Sequence, residues 1–336
     1  MLLNRKCKNC LIPERYPNFK LNEKRIGNYC TTTKKIDKTE EKKLLKKEFE
    51  GYLNKIKGKN QYDCVLLYSG GKDSTYLLYI LTKKYGLKVL TVTVDNGLGT
   101  NIQKENIKKC VEFFDVDNIT ITPKNEFYRR LYRHIFQNKG EDSFSRNICF
   151  KCFGTIQCIG LNIAAKKKIP LVLSANSPDQ INSSQYSIEK NLKKWDPFNI
   201  LENPNFFKED LEYFWDPKKY DITPRFVRPF YFLDYPGVEK IIKELVTLGF
   251  GQKKKFSPLS TNCSMSWLLI FLDLKKYGEN IYVENYHRLI RYKKVNRLKW
   301  RIMLPIAIFL LRNRLVKRKQ INQALKYVDL RLKDLL

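Results

Sequence analysis

An uninterrupted apolar run, Cys64-Val-Leu-Leu-Tyr68, leads directly into Ser69-Gly70-Gly71-Lys72-Asp73-Ser74 and then into a helical pattern. A run without polar alternation predicts a strand covered on both faces, the setting of a parallel sheet flanked by helices. Gly70 and Gly71 permit a sharp turn and let an anion approach a backbone that has no Cβ in the way. A helix starting near Ser74 aims unsatisfied N–H groups and the positive end of its dipole at that anion. Ser69 and Ser74 add hydroxyl donors and Lys72 adds a cation, while Asp73 either caps the helix or holds a magnesium ion through water. The whole is a cradle for phosphate; its bland alternative is an ordinary strand-to-helix turn.

Strand and helix patterns keep alternating beyond this point. Residues 75–85 read as a helix, 88–94 as a strand, 102–114 as a helix, 118–122 as a strand and 126–136 as a helix. A helix over 154–165 precedes a strand over 169–174; a strand-like 225–231 and a helix over 237–248 follow. Such alternation predicts an α/β fold, a doubly wound parallel sheet whose carboxyl-end rim carries Ser69, Asp95, Pro123 and Ala175. Around it we expect a Cys-containing, turn-rich segment (1–35), a Lys- and Glu-rich helical connector (36–59), the sheet domain itself (60–257) and a basic helical C-terminal lobe (258–336). Residues 183–222, with Trp195, Phe198, Phe206, Phe207, Tyr213, Phe214 and Trp215 in no clean period, read as an insertion that covers the site, binds substrate or packs as a flap.

The length of 336 residues and a hydrophobic fraction of 43% suit one large domain with attachments, or two domains. The best membrane-spanning candidate, residues 302–311, is short and contains Pro305, and the N-terminus lacks the apolar region of a signal peptide. A cytoplasmic protein with no integral membrane contact is therefore expected. A formal charge of +30 attracts polyanions, and it is uneven: Asp329 is the single acidic residue from Arg288 to Lys333. RNA, an anionic sugar nucleotide and a membrane surface all fit, as does a lysine-rich codon bias. A homodimer stays open.

Nine cysteines in a reducing compartment point to metal or sulfur chemistry before disulfides. Cys149-Phe-Lys-Cys152 can share a metal or cluster, exchange between thiol, persulfide and disulfide, or be a buried pair; a helix N-terminus there would acidify a thiol. Cys64, Cys110 and Cys158 fall on apolar faces, where a small buried hydrophobe is the default. His134 and His287 stand in no metal spacing and read as surface or packing residues.

The hexapeptide Ser69–Ser74 resembles the SGGxDS signature of the PP-loop ATP pyrophosphatases and lacks the longer glycine spacing of a Walker A loop. The resemblance implies a HUP-type fold and an enzyme that transfers AMP from ATP, with magnesium, to a substrate oxygen and releases pyrophosphate. Ser69, Gly70, Gly71, Lys72, Asp73 and Ser74 would hold the pyrophosphate, with Asp95 beside the nucleotide. Over residues 60–265 the chain is similar to tRNA 2-thiolation enzymes within that superfamily. Asp95-Asn-Gly-Leu-Gly99, Cys149-x-x-Cys152, Ser174-Ala-Asn-Ser-Pro-Asp179 and Arg228-Pro-Phe230 carry this likeness, with Cys263 downstream. It implies Asp179, Lys72, Cys149 and Cys152 as catalytic residues, a 4Fe-4S cluster on Cys149, Cys152 and Cys263, a tRNA substrate and a sulfur-donor partner. Ser174-Ala175 departs from the Gly-His of those enzymes, and Gln180 replaces their second aspartate.

The N-terminus, Cys7-Lys-Asn-Cys10 with Asn28-Tyr-Cys30, is similar to the zinc-ribbon leader of N-acetyl sugar amidotransferases of surface-polysaccharide pathways. That resemblance implies structural zinc on Cys7, Cys10 and Cys30, with Gly27 in place of a fourth cysteine, and ammonia supplied by a glutaminase partner as the nucleophile. A third reading, a nucleotide- or RNA-binding protein without turnover, keeps the loop but not the reaction.

Overall fold

A computed structural model describes residues 5–14, 16, 19–31, 39–138, 143–180, 208–250, 263–280, 287, 290–291 and 296–336. In chain order the helices are α1 (Asn28–Thr31), α2 (Thr39–Ile56), α3 (Lys72–Tyr79), α4 (Asn101–Phe114), α5 (Asn125–Gln137), α6 (Phe144–Lys166), α7 (Val238–Thr247), α8 (Met265–Lys276), α9 (Arg297–Arg312) and α10 (Arg318–Val328). The strands are β1 (Cys64–Leu67), β2 (Val89–Val94), β3 (Asp117–Ile121), β4 (Leu171–Ser174) and β5 (Arg225–Val227). Two compact units contain them. A sheet unit comprises Asp37–Tyr128 and Cys152–Asn262; a helical unit comprises Met1–Ile36, Arg129–Lys151 and Cys263–Leu336. Of the aromatic insertion, Trp195, Phe198, Phe206 and Phe207 lie outside the described residues.

The sheet is parallel throughout, in the order β3-β2-β1-β4-β5. Leu66 pairs with Thr91 on one side and Leu173 on the other, so β1 is central. The strand period of two sends Cys64, Leu66 and Tyr68 into one core layer with α2, α3 and α7, and Val65 and Leu67 into the other with α6 and Trp215. Every residue of β1 is buried, as its unalternating sequence requires. Full burial of Leu66 contributes about 2–3 kcal/mol. The buried threonines of β2 have partners: Thr91 donates to the Asp117 carbonyl (2.8 Å) and Thr93 to the Tyr68 carbonyl (3.0 Å). Asp63, also buried, accepts from the Gly58 and Lys88 amides and fixes the lead-in to β1. Strand order reverses between β1 and β4, which opens a crevice at their carboxyl ends.

One helix departs from expectation. α6 begins at Phe144, ten residues before the apolar pattern of 154–165, and runs for 23 residues. Its first amides are satisfied from a distance: Asp273 on α8 accepts from Phe144 N (2.7 Å) and Ser145 N (3.1 Å). By length and composition alone α6 is apolar enough to cross a membrane, contrary to the expectation that no stretch is, and 56% of its apolar window is buried. In the helical unit, α8 is buried along almost its whole length and packs against α9 and α10. Arg133 of α5 donates to the Val328 carbonyl and pairs with Asp329 beyond α10, both at 2.9 Å. These ties set Arg129–Lys151 with the C-terminal helices although the sequence reading put it in the sheet domain.

Candidate functional site

At the carboxyl end of β1 the chain turns through Gly70, whose φ of +64° lies in the left-handed region. A Cβ there would stand 2.9 Å from the Gln103 carbonyl oxygen and 2.9 Å from Ile107 of α4. α3 then begins at Lys72, slightly ahead of the expected start. Its N-cap is Gly71, and no side chain caps it. The N-cap thus brings no side chain of its own to the helix start, and the turn is shaped for an anion. Ser69 and Ser74 hydroxyls lie 3.2 Å apart, and Ser74 also donates to the Gly71 carbonyl at 3.0 Å.

Asp73 does not cap the helix. Its carboxylate accepts from Lys72 and, at 2.8 Å, from the Tyr235 hydroxyl. It is partly exposed, so an oxygen-seeking dication can reach it. Asn106 of α4 donates to the Gly70 carbonyl at 3.4 Å, pinning the turn from the opposite side. Tyr235 and Asn106 carried no sequence signal: each is a single polar residue whose partner only the fold reveals.

The loop after β2 lies on the same rim. Asp95 accepts from Gly97 N (2.9 Å) and Lys104 Nζ (3.0 Å). Burial pushes its carboxyl up, but the Lys104 and Gly97 donors outweigh that and hold it below the usual range. The next residue, Asn96, accepts from Leu98 N and turns its amide Nδ2 to 3.8 Å from the Cys152 sulfur. This brings one thiol of the CxxC pair to the rim beside Asp95. After β4, Ser174 donates to Asn176 (2.8 Å), and Asp179 stands in the short 3-10 turn Pro178–Gln180. After β5, Arg228 stacks over the Phe226 ring, 5.0 Å from its centroid.

Cys149 and Cys152 sit in the second and third turns of α6, not before it. Three-residue spacing keeps them on one helix face. The dipole argument for acidified thiols does not apply, because the helix start is five residues earlier and is occupied by Asp273. Cys149 and Cys263 belong to the helical unit and Cys152 to the sheet unit. Burial pushes the Cys263 thiol up.

Among the described residues, the His, Cys, Asp or Glu group that could hold a metal is Cys7, Cys10 and Cys30, with all ligand atoms within 4.8 Å of one another. Cys7 and Cys30 sulfurs lie 3.7 Å apart, and sulfurs on a tetrahedral zinc stand about 3.8 Å apart, so the donor set and spacing fit. Gly27 N–H donates to Cys7 Sγ at 3.3 Å. A side chain at Gly27 would have no room: its Cβ would lie 2.0 Å from the Phe19 ring. The Cys10 hydrogen bond draws the Cys30 thiol below its ordinary value, although burial opposes it; Cys10 is correspondingly pushed up by that bond and by burial. Burial works against the Arg291 charge, but its interactions with Cys10 and Cys30 raise its pKa. His287 is fully buried, with Nδ1 2.6 Å from the Cys10 carbonyl and Nε2 2.9 Å from Glu279. It is a packing residue that anchors the Cys10 backbone.

Residues 63–144 match the family model described as the arginosuccinate synthase N-terminal HUP domain. The chain is 29% identical over 203 residues, 56% of its own length and 71% of the other's, to an uncharacterized protein of Methanocaldococcus jannaschii. Over 63 residues it is 41% identical to argininosuccinate synthase of Methanococcus maripaludis, a match spanning 19% of this chain and 16% of that enzyme. Among solved structures it is similar to the U34-tRNA thiolase of M. maripaludis with its [4Fe-4S] cluster, at 16% identity and a TM-score of 0.35 over 76% of this chain and 82% of that one. The matched stretch, residues 63–144, holds the Ser69–Ser74 loop, so the part of the chain that carries the phosphate cradle is the part similar to a HUP domain.

Proposed function

We propose that the protein is an ATP-dependent adenylating enzyme that activates a carbonyl or amide oxygen of its substrate with AMP and replaces that oxygen with sulfur. The observation that carries the first step is the uncapped start of α3 behind a left-handed Gly70 at the carboxyl end of the central strand. ATP lies with its β- and γ-phosphates on the loop amides and on the hydroxyls of Ser69 and Ser74. Lys72 offsets charge that builds on the departing pyrophosphate. Asp73 and Asp95 are the carboxylates on this rim that magnesium would use. The substrate oxygen attacks the α-phosphate, the bond to pyrophosphate breaks, and the new AMP ester makes the former oxygen a good leaving group.

Cys152, held beside Asn96 on the rim, supports sulfur as the second nucleophile. A persulfide on a donor protein passes its outer sulfur to Cys152 and leaves as the donor thiol; that terminal sulfur attacks the adenylated carbon and AMP departs. Cys149, one helical turn away, then takes the Cys152 sulfur as a disulfide, which breaks its bond to the transferred sulfur and supplies the two electrons, while Asp179 in the turn after β4 positions the substrate. The basic C-terminal segment supports a tRNA or another polyanion as substrate. Zinc on Cys7, Cys10 and Cys30 would be structural. That group supports a second reading, in which an acetamido sugar is adenylated and ammonia from a glutaminase partner displaces AMP.

Pyrophosphate release from ATP, measured with tRNA or with N-acetylated sugar nucleotides, tests the first step and separates the substrates. Protein that binds ATP without releasing pyrophosphate on any of them would be a nucleotide-binding module instead. Protein purified without oxygen distinguishes the second steps: colourless, iron-free protein that modifies tRNA as well in Cys152→Ser as in the parent rules out sulfur transfer at this pair.

A further inference from the structure

α9 is apolar on two opposite faces. Leu304 and Leu311 are buried on the side where α9 packs against α8. At 100° per residue, Leu298, Ile302, Ile306 and Phe309 fall on the other side, and they are between 56% and 66% exposed. Met303, 49% exposed, lies beyond one edge of this stripe. A surface helix normally presents polar residues outward, so a contiguous exposed stripe of this length marks a contact surface. Its edges are basic: Arg301 and Arg312 flank it on one side and Lys299 on the other, whereas Arg314 and Lys317 beyond the helix lie over the Phe271 and Trp267 rings of α8. No Asp or Glu occurs between Asn285 and Val328.

The partner must therefore be negative on both sides of the helix and apolar beneath it. RNA would satisfy the cations but leave four large apolar side chains against ribose and phosphate. A second copy would bury the stripes yet bring two acid-free rims together in a chain of net charge +30. An anionic lipid leaflet offers both features at once: headgroup phosphates for Lys and Arg, and an acyl boundary for the stripe. We infer that α9 is a peripheral membrane-binding helix that lies flat on an anionic lipid surface, with Leu298, Ile302, Ile306 and Phe309 inserted at the acyl boundary. At about 24 Å it is a surface element and not a span. The inference is independent of the reaction at the loop.

Flotation of the full chain with vesicles of phosphatidylcholine, with and without phosphatidylglycerol, tests it. The protein should float with the anionic vesicles and not with the neutral ones, and binding should weaken as salt rises. The double variant Ile302→Glu/Ile306→Glu should lower anionic-vesicle binding about tenfold or more while leaving the melting temperature and circular dichroism unchanged, because neither residue faces α8. No flotation, equal flotation with both vesicle types, or full binding by the double variant overturns the inference. A dimer, or RNA binding without lipid binding, that the same variant abolishes also overturns it and assigns the stripe to a second copy or to RNA.

Discussion

Replacing Gly70 with alanine isolates the feature on which the phosphate cradle depends. At φ +64° an alanine adopts left-handed backbone at a cost of about 1–2 kcal/mol, partly offset by roughly 0.5 kcal/mol from the stiffer unfolded chain. The new Cβ also meets the Gln103 carbonyl and Ile107 at 2.9 Å each. The first is backbone in the first turn of α4, which Thr100 caps, and cannot move without that helix end, so overpacking adds about 1–3 kcal/mol. Gly70→Ala should thus destabilise the protein by about 2–4 kcal/mol. Gly58→Ala is the control, because Gly58 has φ +74° with nothing within 4 Å of its Cβ position, so it bears only the backbone cost of about 1 kcal/mol. Urea unfolding followed by circular dichroism gives both values, provided the denaturant slope is unchanged. Gly70→Ala should also weaken protection by MgATP, whereas Gly58→Ala should not. Equal destabilisation by the two variants would refute a close packing of the turn against α4.

Asp273 makes stability depend on pH: burial pushes its carboxyl from 3.8 up to about 6 despite the donors of Ser145, Phe144 and Asn280. The folded chain then holds the proton more tightly than the unfolded one, so this contribution is fully present below about pH 4 and lost as pH rises through about 6, a change of about 3 kcal/mol. The stability difference between the parent and Asp273→Asn should drift by that order between pH 4 and 7, and a constant difference contradicts it. Tyr235→Phe removes the hydroxyl on Asp73 and should weaken MgATP affinity roughly three- to tenfold with little loss of stability, measured by nucleotide titration; unchanged affinity places Asp73 outside the magnesium site. Gly27→Cys alone should not tighten zinc binding, because Phe19 fills the space, whereas Phe19→Ala/Gly27→Cys should tighten it about tenfold or more in a chelator competition. A gain from the single variant would show that Phe19 yields.

The parallel sheet and its cradle were readable because strand burial, glycine freedom and helix initiation are all local and all agree over residues 64–75. The start of α6 was not readable. Residues 144–151 have no clean apolar stripe, and although Ser143 caps the helix locally by accepting from Arg146 N, the Phe144 and Ser145 amides are met by Asp273, which lies 129 residues from Phe144. The role of Asn96 escaped for a similar reason: an asparagine in a turn signals the turn, and only the path of α6 brings Cys152 to it. Cys7, Cys10 and Cys30 were legible as a group from their spacing, yet the reason Gly27 lacks a thiol lies in the Phe19 ring, which no spacing reveals.

Cysteine chemistry in this chain is decided by neighbours more than by number. Cys64 and Cys158 lie in the two apolar layers of the sheet unit, where burial pushes both thiols up, Cys158 to about 12. They stay protonated near neutral pH, and a neutral thiol is neither a good ligand nor a nucleophile. Around Cys30 the balance reverses: a Cys10 donor and the Arg291 guanidinium favour the thiolate against burial. Three thiolates around a dication leave one net negative charge, and one guanidinium cancels it. That accounts for an arginine kept half-buried, since desolvating a guanidinium is tolerable only against an anion. The Arg291 guanidinium is therefore placed to compensate negative charge at Cys30, and it would take up the excess charge that three sulfur ligands leave on a bound dication.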